Sequence, residues 1–97
     1  MCDRNECISI LTKNRHQIQQ EFGVTGLSVF GSMARGDNRR DSDVDILVDM
    51  PPKIFVMSAL KEFLESKLKT SVDLIRRHSH LSASFMSQIS KDAITIF

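Results

Sequence analysis

The chain has 97 residues, of which 41% are hydrophobic, 26% charged and 6% aromatic, with no Trp or Tyr. That length predicts a single domain over 1–97, with a core sufficient to fold alone. The formal charge of +1 gives no global electrostatic reason to expect nucleic-acid binding, and no apolar run is long enough to span a membrane. Cys2 and Cys7 have four residues between them, which is neither a zinc spacing with matching partners nor a disulfide framework. The opening MCDRNECISIL lacks the basic-then-apolar layout of a signal peptide. A protein of the reducing cytoplasm is the expectation.

In chain order, a helix is predicted from Asp3 to Phe22. Asp3 with Glu6 forms an N-terminal capping pattern, and Gly23 is the stop. Ile8, Leu11, Ile18 and Phe22 make its apolar stripe, interrupted by Arg15. Leu27–Phe30 alternates as a strand that ends at Gly31. Val44–Val48 reads as a second strand, ended by Met50-Pro51-Pro52. Ile54–Lys69 is the clearest helix, with Val56, Leu60, Phe63, Leu64 and Leu68 on one stripe. Ser71–Ile75 is a third short strand. A last helix begins near Ser82 and carries Phe85, Met86, Ile89, Ala93 and Ile94. Strands alternating with helices, with no repeats and no long linker, predict an α/β domain with a small mixed β-sheet flanked by helices.

The chemistry concentrates in FGSMARGDNRRDSDVDILV, residues 30–48. Asp43 and Asp45 stand at i and i+2, so along a strand their side chains share a face. An acid amid Val, Ile and Leu needs a partner that offsets its burial, and two neighbouring carboxylates repel one another. A divalent cation reverses that balance, and oxygen-only ligands suit Mg²⁺ or Mn²⁺. Asp73, between Val72 and Leu74, repeats the pattern in the next strand. If the two strands are neighbours, three carboxylates meet at one sheet edge, which is what two-metal phosphoryl or nucleotidyl transfer requires. Upstream, the turn at Gly31-Ser32 offers backbone N–H groups and a hydroxyl that can cradle a phosphate. The P-loop pattern is absent, which argues against a Walker-type ATPase. Each feature has a structural rival: Asp43 as a turn cap, Asp73 as an exposed edge-strand acid, Gly31-Ser32 as an ordinary turn. Arg35, Arg39 and Arg40 are either triphosphate contacts or a solvated loop, with Arg35 the candidate. His78 and His80 lack a third ligand and read as surface residues, and the Met residues read as core or interface filler.

Gly31-Ser32, ten residues, Asp43-Val44-Asp45, then Asp73 in a following strand resembles the nucleotidyltransferase superfamily that includes DNA polymerase beta. Neither G-S nor D-x-D is specific alone, but the two at this spacing with a third strand acid are. The small size and the segments GSMARG, SDVDILV and SVDLI resemble the minimal nucleotidyltransferases (MNT proteins), many of them antitoxins paired with HEPN-domain toxins. The resemblance covers nearly the whole chain. It implies two Mg²⁺ ions on Asp43 and Asp45, ATP seated on Gly31 and Ser32, and Asp73 joining the metal that binds the attacking hydroxyl and helping to remove its proton. AMP would pass to a hydroxyl side chain, Tyr by family expectation, of a HEPN toxin in a hetero-oligomer. Two other readings are an antitoxin that blocks its toxin by binding alone, and the catalytic subunit of a small-molecule nucleotidyltransferase.

Overall fold

The computed structural model describes residues 3–36, 43–77 and 83–97. Arg39, Arg40, His78, His80, Ser82 and Cys2 lie outside the described residues.

The first helical segment is two helices, not one: α1 (Arg4–Lys13) and α2 (Arg15–Phe22). Asp3 caps α1 as expected, its side chain accepting from the Glu6 amide at 2.8 Å. The break falls at Asn14, whose side-chain amide donates to the Ile10 carbonyl at 2.8 Å while its own N–H donates there too, at 3.0 Å. A short polar side chain that competes for a backbone acceptor in mid-helix gives the chain an alternative to continuing straight. Gly23 ends α2 in the left-handed conformation, φ 67°. The buried stripe is Cys7, Leu11 and Ile18, so Cys7 takes the place expected of Ile8, which is only half-buried.

A four-stranded mixed sheet follows the order β3-β2-β1-β4, from β1 (Gly26–Phe30), β2 (Val44–Asp49), β3 (Val72–Arg76) and β4 (Ile94–Thr95). β1 and β2 are antiparallel, with Phe30 opposite Asp45. β2 and β3 are parallel neighbours joined through α4 (Ile54–Leu68). Between β1 and β2 stands a single short helix among the described residues, α3 (Gly31–Arg35), and α5 (Ala83–Asp92) precedes β4. The last helix therefore stops at Asp92. Ile94, expected on its stripe, instead pairs with Val29 at the edge of β1.

One sheet face makes the core. Val29, Val44, Ile46, Val48 and Val72 join Leu11 and Ile18 of α1 and α2 and Leu60, Leu64 and Leu68 of α4 in one buried cluster. Phe22 stacks at a tilt on Phe63, ring centroids 5.3 Å apart, which ties α2 to α4. Two contacts set the start of β3. The Glu65 carboxylate accepts from the Val72 amide at 3.0 Å, and the Val44 amide donates to the Ser71 carbonyl at 2.9 Å. The beginnings of β2 and β3 are thereby locked side by side, which fixes the position of every acid nearby.

Candidate active site

The alternation along β2 turns Val44, Ile46 and Val48 toward the core and leaves Asp45, Leu47 and Asp49 for the opposite face. Asp45 is consequently half-buried rather than enclosed among its apolar neighbours. Its direct partner across the parallel ladder is Asp73. Opposed residues of adjacent strands lie on one face about 5 Å apart in backbone position. Asp43 immediately precedes β2, exposed, rather than standing within the strand.

The electrostatics report the same gathering. Burial pushes the Asp45 carboxyl above its ordinary range, the negative charges of Asp73 and then Asp43 push it further, and the Arg35 guanidinium pulls it partly back. With side chains as they stand, no three His, Cys, Asp or Glu among the described residues close into a metal-holding group. The donor chemistry nonetheless fits a hard divalent cation: oxygen ligands only, with mutual repulsion that a cation would relieve.

Gly31 sits at the junction of strand and turn with φ 72°, in the left-handed region. A Cβ there would collide with Oδ2 of Asp45, so the carboxylate lies directly against the glycine backbone. Ser32 follows as the second residue of α3, and Gly36 closes the turn at φ 78° with its N–H donating to the Met33 carbonyl at 3.2 Å. Arg35, at the end of α3, reaches Asp92 of α5 with Nη1–Oδ2 at 3.4 Å, both side chains well exposed. Between these elements opens a cleft of about 300 Å³, walled by Phe30, Gly31 and Arg35 on one side and Phe85, Ile89 and Asp92 of α5 on the other. The sequence pattern identified the acids, Gly31, Ser32 and Arg35. It did not single out Asp92 or the α5 wall, whose only signal was the apolar stripe of the last helix.

A mixed sheet that sets Asp45 opposite Asp73 near the starts of two neighbouring strands, with Asp45 against a glycine turn, is an arrangement suited to nucleotidyl transfer. The family model for "Polymerase beta, Nucleotidyltransferase" matches residues 5–97, and the chain belongs to that family. The protein adenylyltransferase MntA of Thermococcus cleftensis is 42% identical over 81 residues, spanning 81% of this chain and 82% of that protein. A solved structure assigned as a minimal nucleotidyltransferase superposes with TM-score 0.77 at 30% identity, covering 95% of this chain and 94% of the other. An MNT antitoxin in complex with a tri-AMPylated HEPN toxin of Shewanella oneidensis shares the fold, with TM-score 0.65 at 18% identity over 93% of this chain and 71% of that one. The α/β fold and the nucleotidyltransferase family expected from the motif are thus both established.

Proposed function

We propose that this protein transfers AMP from ATP to a hydroxyl side chain, Tyr in the first instance, of a HEPN toxin, and so acts as the antitoxin of a toxin–antitoxin pair. The observation that carries the reading is the Asp45–Asp73 register near the starts of two neighbouring strands, where Asp45 also lies against Gly31. The similarity to a protein adenylyltransferase supports the adenylyl donor, and the antitoxin fold seen beside an AMPylated HEPN toxin supports the partner.

In this reading Asp43, Asp45 and Asp73 would hold Mg²⁺, which supplies positive charge against the triphosphate and the oxygens of the transition state. The backbone at Gly31 and Ser32 takes the triphosphate, since first-turn N–H groups of a helix have no partners within it. Arg35, near enough to Asp45 to lower its proton affinity, adds a fixed cation beside the phosphates. The acceptor oxygen bonds to the α-phosphorus, the bond to the β-phosphate oxygen breaks, and pyrophosphate leaves. Asp73, the exposed acid of the cluster on β3, takes the hydroxyl proton as that bond forms. The acceptor hydroxyl is brought to this site by the partner, in a hetero-oligomer.

Co-incubation with the cognate toxin and Mg-ATP tests this. Label on the α-phosphate should become covalently attached to the toxin, and label on the γ-phosphate should not. Asp43→Ala and Asp45→Ala should abolish the transfer. If the toxin is neutralised without label, and equally well by the variants, the chain acts by occlusion instead.

A further inference from the structure

We infer that Glu65 on α4 is a positioning residue for the transfer: by holding the Val72 amide it sets where the Asp73 carboxylate stands against Asp45. The inference rests on the reading above and adds to it a residue outside the motif. Just ahead of β3, the Ser71 carbonyl turns inward and accepts from the Val44 amide. Backbone groups of successive strand residues face opposite edges, so the Val72 N–H points outward, away from β2. β3 is the outermost strand of the sheet order, and an N–H on that edge has no ladder partner among the described residues. The Glu65 carboxylate accepts from it instead, Oε2 to N at 3.0 Å, in a part-buried setting.

Glu65 is itself held firmly. Leu64 and Leu68 on either side of it are buried in the core and fix the end of α4. The Glu65 carbonyl accepts from the Lys69 amide at 2.8 Å, closing the helix where Lys69 takes the left-handed conformation, φ 57°. One residue therefore ties both ends of the turn between α4 and β3: its backbone ends the helix and its side chain receives the strand. Burial of Val72 keeps β3 against the core, but apolar contact has no preferred direction along the sheet. A hydrogen bond does. Asp73, the next residue, is exposed and stands opposite Asp45, so its place depends on how the strand begins. A misplacement of about 1 Å at a reacting group can cost about 100-fold in rate.

The test follows AMP transfer from Mg-ATP to the cognate toxin, with Phe63→Leu as a loss of packing elsewhere on α4. Glu65→Ala should lower kcat by about 10- to 100-fold and leave KM for ATP within about twofold. Glutamine keeps a side-chain oxygen that can accept from Val72, so Glu65→Gln should stay within about threefold of the wild type. Glu65→Asp keeps the charge but is one methylene short, and should slow transfer too, so the test stands even if Glu65→Ala does not fold. Phe63→Leu should keep the wild-type kcat. Without toxin or nucleotide, hydrogen exchange at the Val72 amide should quicken at least about tenfold in Glu65→Ala and Glu65→Asp but not in Glu65→Gln. The inference is overturned if the folded Ala or Asp variant keeps kcat within about twofold, if Phe63→Leu is equally slow, or if Glu65→Gln is as slow as they are. Failure of the nucleotidyltransferase reading looks different: the wild type itself would attach no label.

Discussion

The two faces of β2 do opposite work within six residues. Val44, Ile46 and Val48 are fully buried and join helices α1, α2 and α4 in the core. Asp45, on the other face, meets Asp73 across the ladder and carries a proton affinity raised by burial and by its acidic neighbours. A strand's period of two allows this division without either face disturbing the other. Stability and chemistry should therefore separate under mutation, and substitutions on alternate residues are the means to show it.

The largest effect belongs to the core face. Ile46→Ala should cost about 2–5 kcal/mol, comparable with the whole stability of a small domain, because the side chain is fully enclosed. Urea unfolding monitored by circular dichroism reads this directly. A loss under about 1 kcal/mol would mean that the core does not pack as described.

Gly31→Ala lies between the two roles. It combines a positive φ with a collision against the Asp45 carboxylate, so it should cost about 1–3 kcal/mol. By displacing Asp45 it should also weaken Mg-ATP binding about tenfold. A variant that binds normally would show that the glycine serves the turn alone.

The smallest effect on stability is expected on the acidic face, and with opposite sign. The raised pKa of Asp45 means that the folded protein favours the uncharged form, so the charged carboxylate weakens the fold at neutral pH. Asp45→Asn should thus raise the melting temperature of the metal-free protein at pH 7 by a few degrees at most. The advantage should shrink as the pH falls through the raised pKa and be gone below the ordinary value of 3.8, where wild-type Asp45 is protonated too. A variant that melts lower than wild type in EDTA at pH 7 would place Asp45 away from the other acids.

The same contrast explains what was legible in the sequence. The acids, the glycine turn and the α4 stripe are local patterns, and each element they predict is present. What escaped depends on pairing or on competition. Nothing local specifies that Asp45 stands opposite Asp73; that register is set by the Val44–Ser71 hydrogen bond, which joins residues far apart in sequence, with the Glu65–Val72 contact holding the start of β3. Asn14 sits inside a continuous apolar periodicity, and its capture of the Ile10 carbonyl overrides that pattern. Ile94 continues the apolar stripe of α5 but gains a strand partner at Val29 instead. The cleft was invisible for the same reason, since α3 and α5 meet only through the fold.

The measurement that bears most directly on the division of β2 is calorimetric binding of ATP with Mg²⁺ and with EDTA, run alongside thermal melts. The wild type should bind Mg-ATP more tightly than ATP in EDTA. The Asp43→Asn, Asp45→Asn double variant should lose that difference while melting no lower than the wild type in EDTA. Equal ATP binding by the wild type with and without metal, or a double variant that unfolds, would contradict the account.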